Sequence, residues 1–171
     1  SFLPCVRPSF MHTMIDASGA FRGKSDGGLY GDVIKAFDYE TGRLLDTLNE
    51  LGLRKNTLVV YTSGNGPWNQ DKYTKRKKGH PKGSIFWGES GPLRNGKGSC
   101  YEGGYRLPCI VRWPGRVPAG KTSDAIFATV DFMPTFANLA GFEIPGDRRI
   151  DGIDQTDLLQ GNRETGRDHF Y

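Results

Sequence analysis

Lys97 is the residue of this sequence whose surroundings best suit anion chemistry. It stands between Gly96 and Gly98, within residues 91–98, GPLRNGKG. An oxyanion can approach such a lysine closely because the neighbouring glycines carry no side chains. The lysine ammonium is a compact point charge that suits phosphate or sulfate. Taken alone, the pattern also fits an ordinary surface lysine in a glycine-rich loop, and both interpretations stay open at this point.

Two loops next to predicted strands are candidate ligand-binding sites. Residues 58–61, LVVY, form a short apolar run that predicts a strand buried on both faces. Residues 61–67, YTSGNGP, follow at its carboxyl end, and ligands of open α/β sheets bind beyond such ends. Residues 106–113 predict a second buried strand. The loop leading into that strand contains Lys97 and is the other candidate.

Two helices are predicted around these strands. Apolar residues recur at helical spacing over residues 29–51, with Gly52 as the C-terminal cap. Residues 131–140 predict a shorter helix, with Asp131 as its N-cap or a first-turn acid and Gly141 as its C-cap. Helix, turn, buried strand and glycine-rich loop in this order predict an α/β sheet.

Both ends of the chain look like parts of strands. Residues 2–6 read as the end of one strand, and residues 169–171 read as the beginning of another. Unpaired strand edges pair with other chains. The sequence therefore predicts self-association through cut sheet edges.

Charge and composition narrow the classes of partner. The 171 residues carry a formal net charge of +4, and much of the positive charge lies in residues 72–82, KYTKRKKGHPK. This mild excess is not a nucleic-acid signature. The run fits either a solvated loop or an anion-binding edge. No stretch approaches the roughly 20 apolar residues of a membrane span. Three cysteines without a C-x-x-C pair predict small core residues or partners of cysteines outside this chain, not a zinc site: Cys5, Cys100 and Cys109.

A series of short motifs runs in order along nearly all of the chain. Residues 90–98 and 101–108 are similar to the second signature region of the sulfatases. The chain most resembles the arylsulfatases and N-acetylgalactosamine-sulfatase-like members. The resemblance implies an α/β, alkaline-phosphatase-like sandwich of a mostly parallel sheet between helices. It also implies that residues 1–171 are a partial catalytic domain, without the upstream nucleophile-bearing half and the C-terminal subdomain. Further matching segments are residues 29–33, 48–53, 56–58, 113–115, 119–120, 131–135, 139–141 and 151–154.

The resemblance implies roles for three residues. Lys97 corresponds to the lysine that holds the sulfate and assists the leaving oxygen. His12 corresponds to the histidine beside the scissile ester, which can donate a proton to the leaving alcohol. Asn65 corresponds to an amide ligand of a single calcium ion. The implied activity is sulfuric ester hydrolysis of a sulfated small molecule or a sulfated glycan, in a periplasmic, secreted or lysosomal protein with no nucleic-acid partner.

Two departures from the family pattern bear on activity. Gly64 stands where the family usually has an aspartate ligand, so we expect calcium binding to be weak or absent. No formylglycine motif of the C-x-P-x-R type is present, because residues 5–9, CVRPS, place the proline one position late and lack the following arginine. Formylglycine is expected only in the missing upstream part. The chain alone is therefore predicted to be inactive.

Two other functions stay open. One is a non-catalytic or truncated sulfatase-like protein that binds anions or a partner, which Gly64 favours. The other is a phosphatase or phosphodiesterase of the same superfamily. The chain has only three histidines, His12, His80 and His169, and this argues against a two-metal site.

Overall fold

The computed structural model describes residues 4–8, 11–12, 15–68 and 88–170. Contacts divide the chain into two compact units. Unit I comprises Pro4–Leu53 and Val60–Ile110, and unit II contains Arg54–Val59 and Val111–Tyr171. The helices are α1 (Gly28–Glu50), α2 (Glu102–Tyr105), α3 (Phe132–Ala140) and α4 (Thr156–Gln160), with 3-10 turns at Arg54–Asn56 and Thr129–Asp131; strands β1 (Val59–Thr62) and β2 (Cys109–Arg112) form a two-stranded sheet.

Helix α1 confirms the predicted long helix to within one residue at each end. Val33 and Ala36 are buried on its inner face, with Val33 in a small apolar core beside Ile15. Gly52 has a positive φ of 69° just after the helix, as expected for a C-terminal stop. The predicted apolar face is buried only in its first half, because Leu51 near its end is 65% exposed.

Asp32 fixes the chain that leads into α1. Its buried carboxylate accepts hydrogen bonds from the backbone N–H groups of Gly23 at 2.7 Å, Lys24 at 2.9 Å and Ser25 at 2.7 Å. The bond from Gly23, supported by the other two, outweighs the effect of burial and lowers the pKa of Asp32. A charged acceptor makes such bonds stronger than neutral ones.

The two strands lie where the sequence predicts them, but they are less buried than expected. Strand β1 is half-buried along most of its length, and Ile110 of β2 is 62% exposed. The prediction that residues 106–113 form a second buried strand is wrong, because only Cys109–Arg112 form the strand and its first two residues are exposed. The prediction that residues 58–61 form a strand buried on both faces is also wrong, because the residues of β1 are half-buried or exposed.

The predicted strands at the chain ends are not present in the described residues. Pro4–Val6 form no strand, and residues 1–3 lie outside the described residues. His169 and Phe170 form no strand either; Arg167 instead makes an isolated antiparallel bridge with Ile126. The described residues therefore offer no strand edge at these places for the predicted self-association.

The three cysteines are free and exposed, so the prediction that they are small core residues is wrong. Cys109 lies on the exposed part of β2, and Cys100 lies in the loop before α2. Cysteine is usually buried, but its place is set by the packing around it and not by its type.

Helix α3 confirms the predicted short helix, and Gly141 ends it in the left-handed conformation with φ of 74°. Asp131 occupies the N-cap position, but its side chain makes no capping hydrogen bond to α3. Its carboxylate accepts from the N–H of Ala128 instead. Helix α4 was not predicted. Among the described residues, no helix is long and apolar enough to cross a membrane.

Candidate functional site

The two candidate loops of the sequence are joined by backbone hydrogen bonds in unit I. The N–H of Lys97 donates to the carbonyl oxygen of Pro67 at 2.8 Å, and the N–H of Gly66 donates to that of Gly104 at 2.8 Å. Both bonds use backbone groups that would otherwise lack partners in loops. The loop that carries Asn65 is therefore fixed against the loop that carries Lys97.

Three glycines permit this close approach of backbones. A Cβ atom at Gly66 would lie under 3.0 Å from the carbonyl oxygen of Gly103. A Cβ atom at Gly103 would meet the carbonyl oxygen of Asn95, and one at Gly104 would meet that of Ser99, again under 3.0 Å. A side chain at any of the three positions would force the loops apart. The sequence showed these glycines as motif residues but gave no signal that they pack against each other's loops.

The turn before Lys97 is fixed by its own hydrogen bonds. Asn95 has a positive φ of 60°, which non-glycine residues adopt rarely and asparagine tolerates best. The hydroxyl of Ser90 donates to the carbonyl oxygens of Asn95 at 2.6 Å and Leu93 at 3.0 Å. The N–H of Gly103 donates to the carbonyl oxygen of Arg94 at 3.0 Å. The backbone that carries Lys97 is thus held on both sides.

Within the described residues, the positive charge of the Lys97 side chain has no carboxylate partner. Its ammonium nitrogen lies 5.7 Å from the ring centroid of Trp68, within the range of a cation–π contact. Among the residues that the structure describes, no aspartate or glutamate forms an ion pair with it. A half-buried, unpaired cation on a fixed loop is suited to hold an anion.

Asn65 is exposed on the other of the two joined loops, that of residues 61–67. Its side-chain NH₂ donates to the carbonyl oxygen of Gly66 at 2.9 Å, and the hydroxyl of Ser63 donates to the Asn65 carbonyl oxygen at 3.0 Å. The first bond uses the nitrogen end of the amide and leaves its oxygen as an acceptor. Gly64 is exposed, and a Cβ atom there would meet nothing within 4 Å.

The described residues do not make up a calcium site. Calcium takes about six to eight oxygen ligands, several of them carboxylates. No group of three or more His, Cys, Asp or Glu side chains that could hold a metal occurs in residues 4–8, 11–12, 15–68 and 88–170. Asn65 offers one neutral oxygen, and Gly64 offers no side-chain ligand. This part of the chain therefore does not fit calcium by itself.

His12 is exposed at a bend in unit I and takes part in an interaction of its own. Its role as a proton donor stays a prediction. His80 and the basic run of residues 72–82 lie outside the described residues.

A cavity of about 320 Å³ opens in unit I beside the anchoring loop, which is the segment of residues 61–67 bonded to the Lys97 loop. Pro67, Ser90, Leu93 and Arg106 are among the residues that line it. The charge of Arg106 is matched by Glu102 at 3.2 Å, so the wall of the cavity carries no unpaired arginine. Pro67 belongs both to this cavity and to the hydrogen bond that holds Lys97.

Tyr30 supports the anchoring loop from helix α1, and the sequence gave no signal for this. A Cβ atom at Gly88 would lie 2.8 Å from the Tyr30 hydroxyl oxygen and 3.2 Å from Cβ of Pro67. Tyr30 and Pro67 thus both pack closely against Gly88. Burial, with a smaller effect from Tyr61, raises the pKa of Tyr30, so its phenol stays protonated.

Comparisons with known proteins point to one family. The family model described as Sulfatase matches residues 11–142. The chain is 40% identical over 160 residues to steryl-sulfatase from Mus musculus, covering 94% of this chain and 24% of that protein. It is 37% identical over 172 residues to N-acetylgalactosamine-6-sulfatase from Canis lupus familiaris, covering 96% of this chain and 31% of that protein. The crystal structure of PsFucS1 sulfatase from Pseudoalteromonas sp. matches with a TM-score of 0.73 and 33% identity, covering 87% of this chain and 28% of that one. The chain therefore spans about a quarter to a third of these relatives.

Proposed function

The chain belongs to the sulfatase family and carries part of its alkaline-phosphatase-like α/β fold, and from this premise we propose that it forms part of a sulfuric ester hydrolase. In this function Lys97 holds the sulfate group and stabilises charge on the leaving oxygen. His12 gives a proton to the leaving alcohol, and Asn65 contributes an amide oxygen to a calcium site completed by other residues. The relatives include a steryl-sulfatase and an N-acetylgalactosamine-6-sulfatase, which supports both a sulfated small molecule and a sulfated glycan as substrate. We also propose that the protein is periplasmic, secreted or lysosomal.

The observation that carries this proposal is the Lys97 ammonium, which has no ion-pair partner among the described residues and stands on a loop fixed by the 2.8 Å hydrogen bond from its own N–H to Pro67. A cation held in advance needs no rearrangement when charge develops on a sulfate oxygen. Removal of one such stabilising group typically raises the barrier by on the order of 3 kcal/mol.

A binding measurement tests the role of Lys97. Titration calorimetry with inorganic sulfate should show binding to the parent chain, and Lys97→Ala should weaken it at least about tenfold, which is about 1.4 kcal/mol. Lys121→Ala is the matched control, because Lys121 is exposed in unit II and should leave sulfate binding unchanged. Equal loss in both variants, or unchanged binding in Lys97→Ala, would refute a sulfate site at Lys97. Tighter binding of inorganic phosphate than of sulfate would favour a phosphatase.

The 171-residue chain should not turn over substrate by itself, because its sequence holds no formylglycine motif. We expect no release of 4-nitrophenol from 4-nitrophenyl sulfate above background with the purified chain. Turnover that Lys97→Ala abolishes would show that this expectation is wrong.

A non-catalytic anion-binding protein is the second candidate, and Gly64 in place of the usual aspartate favours it. The two functions differ once an upstream half with a formylglycine motif is supplied. A hydrolase then gains activity that depends on Lys97, whereas a non-catalytic protein still binds sulfate through Lys97 without turnover.

A further inference from the structure

A second cation lies on the loop of Lys97. The guanidinium carbon of Arg94 lies 3.7 Å from the ring centroid of Tyr101, in a close cation–π stack. Both side chains are exposed, Tyr101 by 39%. Stacking on an aromatic face orders the guanidinium and leaves the N–H donors at its edge available to an anion. Arg94 is thus preordered for an anion that arrives from solvent.

The backbone beneath Arg94 is as firmly fixed as that beneath Lys97. The carbonyl oxygen of Arg94 accepts the N–H of Gly103 at 3.0 Å, and the left-handed Asn95 follows directly. Lys97 is three positions after Arg94, so their Cα atoms lie no more than about 11 Å apart. A single ligand of the size of a short saccharide can reach both.

The charges around these two residues are not balanced by carboxylates. Glu102, the acid nearest in sequence after them, forms its ion pair with Arg106. In the described part of unit I, no carboxylate forms an ion pair with Arg94 or with Lys97. The loop therefore presents two positive charges that a monoanionic ligand would satisfy only in part.

We propose that Arg94, stacked on Tyr101, is a second anion subsite, and that the ligand is a saccharide with at least two anionic groups. One sulfate lies at Lys97, and a second sulfate or a carboxylate lies at Arg94. The half-exposed ring of Tyr101 offers an apolar edge to the sugar between them. The inference rests on the proposed sulfate site at Lys97 and narrows the substrate class of that site, because an uncharged sterol body would offer no anion to Arg94.

Calorimetry with two probes tests the subsite. The parent chain should bind a disulfated disaccharide at least about tenfold more tightly than 4-nitrophenyl sulfate, which corresponds to about 1.4 kcal/mol. Arg94→Ala should remove that difference and leave the affinity for 4-nitrophenyl sulfate within twofold. Arg94→Lys should keep part of the difference, because it retains the charge without the planar fork. Raising the salt concentration should weaken the binding of the disulfated disaccharide more than the binding of 4-nitrophenyl sulfate.

Arg116→Ala is the control, because Arg116 stacks over Trp113 at 4.9 Å in unit II and should affect neither probe. If Arg94→Ala does not fold, Arg94→Gln and Tyr101→Leu carry the same test. The subsite is refuted if the parent binds both probes equally, or if Arg94→Ala weakens both by the same factor. In either case, loss of 4-nitrophenyl sulfate binding in Lys97→Ala still supports the proposed function. If neither probe binds the parent, the proposed sulfate site itself fails.

Discussion

The Lys97 loop of unit I and the Asp131 cluster of unit II are held in place by different kinds of interaction. The Lys97 loop is fixed by backbone hydrogen bonds between glycine-rich segments, including that from Gly66 to Gly104. The only side chain described in its fixing bonds is that of Ser90, whose hydroxyl does not titrate. The fit depends on the absence of Cβ atoms, above all at Gly103.

The Asp131 cluster depends instead on one buried carboxylate. Asp131 accepts backbone N–H groups from Ala128 and Ile153, each at 2.9 Å, and the side-chain amide of Gln155 at 3.3 Å. It also forms an ion pair with Arg167, whose Nε lies 3.2 Å from Oδ2. Burial by itself would raise the pKa of Asp131, but the bond from Arg167 and the other hydrogen bonds together outweigh it and lower the pKa.

The two regions should respond differently to changes of pH, side-chain size and charge. A loop held by close backbone contact has no titrating group in its fixing bonds, so pH should affect it little, but an added methyl group should disrupt it. A cluster held by a carboxylate should tolerate small changes of shape, but it should fail when the charge is removed. The substitutions below test this contrast.

Gly103→Ala should have the largest effect. Its methyl group would lie under 3.0 Å from the carbonyl oxygens of Asn95 and Arg94. Overpacking typically costs about 1–3 kcal/mol, and more where backbone must move. We therefore expect the free energy of unfolding to fall by about 3 kcal/mol and sulfate binding to be lost. Urea denaturation and calorimetry with sulfate measure the two effects.

Gly64→Ala is the matched control for that substitution. Gly64 lies in the loop of residues 61–67. A Cβ atom there would stand in open space, and the residue has no positive φ. The free energy of unfolding of the Gly64→Ala variant should therefore differ from that of the parent by less than about 0.5 kcal/mol. Similar destabilisation of the two variants would contradict the role assigned to close packing.

Asp131→Asn should have the next largest effect. The substitution keeps the shape of the side chain but leaves Arg167, which is 15% exposed, without its counter-charge. We expect a loss of about 2–3 kcal/mol in the free energy of unfolding, somewhat below the full cost of breaking a buried pair. Asp147→Asn, which breaks the exposed pair with Arg148, is the control and should change little. Equal melting temperatures for the two variants would argue against the cluster.

The pH dependence of stability should come partly from Asp131. Its folded-state pKa is lowered, so its contribution is present above the unfolded value of about 3.9 and is lost as the pH falls through the folded value. Unfolding free energies measured from pH 7 down to about pH 3 should decline less steeply in Asp131→Asn than in the parent. The pKa of Asp32 is also lowered, so Asp32 should cause part of the fall in unfolding free energy in both the parent and Asp131→Asn. Parallel acid profiles would show that Asp131 does not contribute.

Gly64→Asp should have the smallest effect on stability, because its Cβ atom meets nothing within 4 Å. In the full-length protein, however, it should tighten calcium binding and raise activity. A carboxylate about 4 Å from a single positive charge contributes roughly 4 kcal/mol at an effective dielectric of about 20, before its desolvation is subtracted. We therefore expect a gain of several-fold to several-hundred-fold in affinity.

Gly64→Asn separates charge from ligand count, since it adds an oxygen without a negative charge. It should recover only part of the gain that calorimetry shows for Gly64→Asp. If the parent and Gly64→Asp bind calcium equally well, the view that Gly64 weakens the site is wrong.

Local sequence patterns predicted helices α1 and α3, but not α2, α4 or the contacts between loops. Helix α1 was predicted almost to the residue, because a 23-residue helix repeats its apolar positions several times. Strand β1 was predicted to within one residue, whereas β2 was predicted too long, and both strands are less buried than predicted, because a short apolar run does not show what packs against it. The role of Asp131 was missed, because its partner Arg167 lies 36 residues further along the chain.

The sequence alone determined the family motifs, the position of Lys97 between two glycines, and the absence of a formylglycine motif from this chain. All of these are properties of residues close together in the chain. Only the tertiary structure decided that Lys97 is held by Pro67, that Gly103 must lack a side chain, and that Arg94 stacks on Tyr101. These features depend on distances of a few ångströms between loops. Such distances follow from how the whole unit packs, and no spacing within a single segment encodes them.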